Sequence, residues 1–393
     1  MPRRRLQPLG PAGNYLAAYS PSYFAKTESP WGQSLDWSNR VARDLVISNA
    51  MYWLDDMRFD ALRLDAIHWI DDRREPPILE ELAARVAELA PKRLLIAEDE
   101  RNDPRAVATW GLDATWADDF HHQVRVLLTG ERAGYYGAYA RDVSALARII
   151  ERGWLYEGQM YAPFGRPRGQ SPLALPLESL VFCIENHDQV GNRAAGDRLS
   201  ETTGVDAFAA AALLLSMLPA TPLVFMGQEW CASTPFQYFT DHDAELGRAI
   251  TEGRRRELSF ARGVPVPDPQ SRETFERSKL DWRELAQGDH ARILELHTSA
   301  LRLRRTLPAL RDPARASVKA RAEGQILVVT RSAREGDVVV VASFASEPTP
   351  LGDLVPRGMR VLLGSRPQAS EGEIPPRTTL VLGDERAARH ARQ

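Results

Sequence analysis

Five short apolar runs between residues 61 and 226 each stop on, or just before, a polar side chain. They are ALRL (61–64), RLLIA (93–97), DATWA (113–117), LVFCI (180–184) and PLVFM (222–226). Helical patterns precede or separate them: RVARDLVISNAMYWLDDM (40–57), ILEELAARVAELA (78–90), HHQVRVLLT (121–129) and DAFAAAALLLSML (206–218). Near-continuous apolar strands alternating with helices are the pattern of a parallel sheet covered on both faces by crossover helices. The polar residues at the strand ends are Asp65, Glu98, Asp118, the Asn186-His187-Asp188 run and Gln228-Glu229. In a (β/α)8 barrel that edge carries the active site.

From about residue 316 the pattern changes. QILVVTRS (325–332), GDVVVVASFA (336–345), MRVLLGS (359–365) and TTLVLGD (378–384) are short β-rich runs with turn formers between or beside them. They predict a small antiparallel β-sandwich domain over 316–393, following an α/β catalytic part over 1–315. The Pro-rich GVPVPDPQ (263–270) reads as a surface loop.

Composition removes several function classes. A net charge of −3, with arginines interleaved among acids as in RRREL (254–258), leaves no electrostatic footprint for nucleic acid or an anionic membrane. Two cysteines, Cys183 and Cys231, exclude a disulfide framework and a Cys-based zinc site. No run is long enough to span a bilayer, and the N-terminal arginines have no apolar segment behind them, so a cytoplasmic enzyme is expected. GxGxxG is absent, His121-His122 lacks further ligands at metal spacing, and no cofactor or metal is expected. Trp110 and Trp116 read as core aromatics and Cys183 as inert core.

Three strands end directly on acids, in FDALRLDAIH (59–68), LLIAEDE (94–100) and FCIENHDQVGN (182–192). One such acid is ordinarily a salt bridge or a helix cap. Three on strands of one parallel sheet converge on one face, and paired carboxylates there suit glycoside hydrolysis. Arg63, two residues before Asp65, shares its face of the strand and favours the ionised carboxylate a nucleophile needs. Glu98 stands beside Asp99 and Glu100, whose charges favour the protonated form an acid/base needs. Asp188 with His187 suits stabilisation of a cationic transition state and contact with sugar hydroxyls.

LRLDAIH, IAEDE and ENHDQ resemble, in order, three of the four conserved regions of the α-amylase superfamily, glycoside hydrolase family 13. The resemblance implies an α-amylase-type (β/α)8 barrel with Asp65 as nucleophile, Glu98 as acid/base and Asp188 as transition-state stabiliser. It also implies that Arg63, His68 and His187 line the −1 sugar site, and that Asp118 and Asp119 sit with His121-His122 in a sugar-site loop. Longer stretches, GPAGNYLAAYSPSYF (10–24), PWGQSLDW (30–37), WADDFHHQVRVLLTGERAGYYGAY (116–139) and MGQEWCASTPFQYFTDHDAELGRAITEGRRRE (226–257), narrow the resemblance to one branch. Its members hydrolyse the α-1,4 bond next to the terminal trehalose of malto-oligosyltrehalose, which is then the expected substrate. A glycogen-branching enzyme and an inactive fragment that only binds glucan are the alternatives.

The family's first conserved region is a Leu-Asp-Val-Val-Tyr-Asn-His run directly before the Gly-Pro turn at Gly10-Pro11. MPRRRLQPL (1–9) stands there instead. Those nine residues can be encoded so that a one-base shift reads Cys-Leu-Asp-Val-Val-Tyr-Asn-His, which points to an out-of-frame start. On that expectation the chain lacks the barrel's first strands and holds strands 4–8.

Overall fold

The computed structural model describes residues 16–29, 32–258, 264–366 and 372–391. Residues 1–15 lie outside them, and so does the expectation placed on the opening arginines. The chain divides into two compact units, 1–116 with 239–275, and 117–238 with 276–393.

In the first unit, helix α1 (Arg40–Met51) starts where the Asn39 side chain accepts the Val41 N–H at 2.9 Å. It runs on into one π-helical turn, Tyr52–Asp56. Ala42, Ile47, Ala50 and Leu54 are buried; the last three pack with Leu79, Leu82 and Val86 of helix α2 (Ile78–Ala87). Apolar residues also lie among Arg40, Asp44, Ser48 and Asn49 on the exposed side of α1 and its π-helical turn. Val41, Leu45, Tyr52 and Trp53 are exposed, and exposed Phe59 meets Trp53 edge-on at 5.5 Å. Strands β1 (Ala61–Leu64), β2 (Leu94–Ala97) and β3 (Ala114–Trp116) are parallel neighbours, with Leu64 opposite Ala97 and Ala97 opposite Thr115. That register brings the first residues beyond β1 and β2, Asp65 and Glu98, to the same end.

In the second unit, helix α3 (Asp119–Thr129) is buried along most of its length, and helix α4 (Val143–Arg152) is capped by Asp142. Strand β4 (Leu180–Phe182) leads into the short helix α5 (His187–Gly191). Helix α6 (Val205–Met217) is buried from Ala207 to Met217, as an all-apolar helix must be. Strand β5 (Thr221–Pro222) pairs parallel to β4. The run over 222–226 is thus only partly strand: after the Leu223 N–H bonds Phe182 O, the chain turns toward Gln228. Helix α7 (Gly288–Thr306) packs on α6.

Five strands, β6 (Val318–Glu323), β7 (Ile326–Arg331), β8 (Val338–Ser343), β9 (Arg360–Gly364) and β10 (Thr379–Gly383), form an antiparallel sheet in the order β6-β7-β8-β10-β9. Val328, Val339, Val341 and Leu380 on this sheet pack with Leu351, Leu354 and Ile374. Beside them Thr349–Pro350 and Glu373–Ile374 make a two-stranded ladder. Three arginines tie the second unit through main-chain oxygens. Arg304 donates to Ser216, Leu218 and Ala220, Arg331 to Met217, Leu310 and Asp312, and Arg315 to Glu151, Arg152, Pro172 and Leu175. Burial, with Arg304 nearby, brings the Arg331 guanidinium down to about 10.

The chain is therefore a mixed α/β protein with parallel strands and a separate antiparallel sheet. No helix among the described residues is long and apolar enough to cross a membrane.

Candidate active site

In the first unit the site is built on one guanidinium. Arg63 alternates onto the same side of its chain as Asp65, two residues on. Its Nη1 pairs with Asp65 Oδ1, and its Nη2 lies 2.8 Å from Glu98 Oε2. The Trp116 ring lies under the same guanidinium, 4.5 Å from its carbon, so this indole has a cationic partner and is not merely core. Ala66 takes a left-handed conformation (φ +44°), which turns the chain sharply behind Asp65. The Ala66 N–H donates to Glu98 Oε2 at 2.7 Å and the Ile67 N–H to the Glu98 carbonyl at 3.0 Å. The Asp65 side chain is 78% exposed and that of Glu98 20%.

The acids beside Glu98 have partners of their own. Asp99 is buried in a two-point pair with Arg101, at 2.8 and 2.6 Å. Glu100 meets His68 Nε2 at 3.3 Å. The Arg63 cation lies within ion-pair distance of Glu98.

The second unit holds the other candidates. Asn186 Oδ1 accepts the N–H groups of Asp188 (2.9 Å) and Gln189 (3.0 Å), which starts α5 and holds Asp188 on its first turn. The Asp188 carboxylate is partly exposed, with Asn192 Nδ2 at 3.3 Å on one oxygen and His187 Nε2 at 3.5 Å from the other. Beneath this loop Glu185 is buried against Arg198 (3.4 Å) and the Leu199 N–H (3.0 Å); burial raises its carboxyl above the usual range.

Asp118 and Asp119 separate. Asp118 sits at the start of α3, partly exposed, 3.4 Å from His121 Nε2. Asp119 is 0% exposed. It accepts from Tyr139 OH (2.5 Å), Arg168 Nη1 (2.7 Å), the Leu155 N–H (2.6 Å) and the Tyr156 N–H (3.2 Å). A carboxylate so enclosed holds the loop together and offers no oxygen to a sugar. His122 packs against Tyr135, Tyr136 and Tyr139, its Nδ1 3.1 Å from the Tyr139 hydroxyl. Burial, then His121 and Arg168, hold its imidazole well below the ordinary range.

Sequence reasoning passed over Arg168, Tyr139, Glu185 and Gln189. Arg168 and Tyr139 carry no local pattern that points to Asp119. Gln189, adjacent to Asp188 within ENHDQ, had the signal of position alone.

No family model matches the chain. A malto-oligosyltrehalose trehalohydrolase of Deinococcus radiodurans is 45% identical over 86% of the chain, and one of Rhizobium sp. (strain M-11) is 41% identical over 96%. The chain spans 57% and 66% of the length of these relatives. Among solved structures, a Salmonella typhimurium protein provisionally named an alpha amylase is 33% identical with a TM-score of 0.87, over 96% of this chain and 66% of that one. A pullulanase from Anoxybacillus shares the fold at 14% identity and a TM-score of 0.60, over 92% of this chain and 50% of its own. These neighbours define the class, that of the α-amylase-type glycoside hydrolases. Within it, the chain belongs to the malto-oligosyltrehalose trehalohydrolase family.

Proposed function

We propose that this chain supplies the catalytic acids for retaining hydrolysis of the α-1,4 bond next to the terminal trehalose of malto-oligosyltrehalose, with release of trehalose. The observation that carries the reading is the Arg63 guanidinium shared by Asp65 and Glu98 at matching ends of adjacent parallel strands. One cation contacting both carboxyls keeps them near each other, and a retaining pair needs a separation of about 5–5.5 Å.

The Asp65 carboxylate attacks the anomeric carbon while Glu98 gives its proton to the departing glycosidic oxygen. The product is a glycosyl ester on Asp65 and a free sugar hydroxyl. Glu98, now ionised, takes a proton from water, whose oxygen displaces Asp65 with net retention. Asp188 faces the positive charge that develops on the ring, and Arg63, His68, His187 and Asp118 contact sugar hydroxyls. The scaffold in this reading is an α-amylase-type (β/α)8 barrel, of which the five parallel strands form part, followed by the β domain over 316–393.

The test is incubation of the purified chain with malto-oligosyltrehalose and measurement of free trehalose. Trehalose release that falls at least about a thousandfold in Asp65→Asn and in Glu98→Gln is the expected result. Release untouched by either substitution overturns the assignment. New α-1,6 links place the chain with branching enzymes instead, and binding without turnover makes it a glucan-binding fragment.

A further inference from the structure

The second unit also holds an open cavity of about 700 Å³ with guanidiniums from three separate segments in its wall. Arg292 comes from α7, Arg366 from just beyond β9, and Arg377 from the turn before β10. The lining carboxylates are Asp206, on the first turn of α6, and Asp289, at the start of α7. Among the described residues three cations thus face two anions, and the cavity carries a surplus of positive charge.

The pairing inside it is stretched. Asp206 is divided between two arginines, with Oδ1 3.3 Å from Arg292 Nη2 and Oδ2 3.4 Å from Arg366 Nη2. Charge-assisted pairs that close fully reach about 2.7–2.9 Å. Arg292 makes its shorter bond to Asp289, Nε to Oδ1 at 2.8 Å, and gives Nη1 to the Ser365 carbonyl at 3.2 Å. Arg377 meets no carboxylate among the described residues, and its Nη1 donates to the Thr203 carbonyl at 3.0 Å. It does so from a left-handed backbone (φ +50°), uncommon for arginine and kept only where the surroundings hold it. Those surroundings are tied together: Thr379 Oγ1, at the head of β10, donates to the Ala210 carbonyl of α6 at 2.8 Å.

We infer that this cavity binds a phosphate monoester of a sugar-sized polyol, with the phosphate oxygens held by Arg366, Arg377 and Arg292. Guanidiniums match phosphate with paired donors, and a dianion here takes up the charge that Asp206 neutralises only at long range. The volume far exceeds one phosphate group and falls in the range of small-molecule sites. No aromatic side chain among the described residues lines the cavity to stack a base, while Asp289 and the Thr203–Gly204 main chain offer acceptors to hydroxyls. The site shares no residue with the hydrolase reading above.

Titration calorimetry in a phosphate-free buffer of fixed low ionic strength compares glucose 6-phosphate, inorganic phosphate, glucose and adenosine monophosphate on the purified chain. Arg366→Gln and Arg377→Asn each remove one guanidinium, and asparagine tolerates the left-handed backbone at 377. Arg389→Gln removes an equal charge from an exposed ion pair outside the cavity and is the control. The expected result is glucose 6-phosphate binding that weakens by about ten- to hundredfold in each cavity variant and is unchanged in Arg389→Gln. Thermal melts follow the same order, with glucose 6-phosphate raising the Tm of the parent more than that of either cavity variant at equal ligand concentration. If Arg366→Gln fails to fold, Arg377→Asn decides. Glucose 6-phosphate that does not bind, or that binds the parent and Arg377→Asn equally, overturns the inference. An equal loss in Arg389→Gln shows attraction by net charge alone and overturns it as well. Inorganic phosphate binding as tightly as the ester reassigns the cavity to the free ion, tighter adenosine monophosphate binding reassigns it to a nucleotide, and either outcome removes the sugar ester.

Discussion

Asp119 gives its lone pairs to one cation, one phenol and two main-chain N–H groups, all inside the second unit. Removing its charge leaves the Arg168 guanidinium buried without its counter-ion. Asp119→Asn should cost about 3–5 kcal/mol of unfolding free energy, read by urea denaturation; a loss below about 1 kcal/mol would show that the pair holds nothing. In the sequence, two adjacent aspartates before a helix look alike. Helix geometry separates them, since successive residues point about 100° apart and only one faces solvent. Arg63 and Asp65 were legible for the opposite reason, because a spacing of two on an extended chain leaves no choice of side. His122 carries a pH dependence. Its imidazole stays neutral when folded and ionises near 6.5 when unfolded, so its contribution is whole above that value and is lost as pH falls below it. Between about pH 7.5 and pH 5.5 the chain should lose stability, and His122→Gln should lose about 1 kcal/mol less. An equal loss in both proteins would assign the acid sensitivity elsewhere, to His297 among other groups whose buried imidazole is also held low.

Among elements, α5 depends most on a single side chain. Asn186 alone starts it, through two N–H groups, and it has one further turn at most. Asn186→Ala should lower stability by about 1 kcal/mol in thermal or chemical melts. If the chain releases trehalose as proposed, Asn186→Ala should lower that release by more than the stability loss explains, because Asp188 rides on the freed turn. Equal effects on the two readouts would make the cap purely structural. The apolar runs that became β4, β7, β8 and β10 were legible because burial on both faces writes itself as continuous hydrophobicity. Strand β6, with the sequence VKARAE, was not. Its outward side chains include Lys319, Arg321 and Glu323, the charged dress of a sheet edge. Strand β5 was read too long, because its partner β4 provides only three residues to pair with.

At the level of the whole molecule, α1 has apolar side chains on two faces and buries one of them. Tyr52, Trp53 and Phe59 form a contiguous exposed aromatic patch, the kind of surface that soluble monomers keep small. The chain should therefore bind a hydrophobic dye when folded and sediment with an apparent mass that rises with concentration. Replacing Tyr52 and Trp53 with serine should reduce both signals. A parent chain that stays monomeric and dye-free would mean the patch is covered in solution. No sequence pattern announces such a face, since a helix buried on both sides and one left half-covered read the same.

The three arginines of the second unit clasp carbonyl oxygens, and every residue has a carbonyl whatever its side chain. The segments they hold can therefore drift through evolution, residue by residue, without loosening the tie. The whole constraint falls on positions 304, 315 and 331, where a lysine, lacking the planar fork of donors, could reach only part of what is held now.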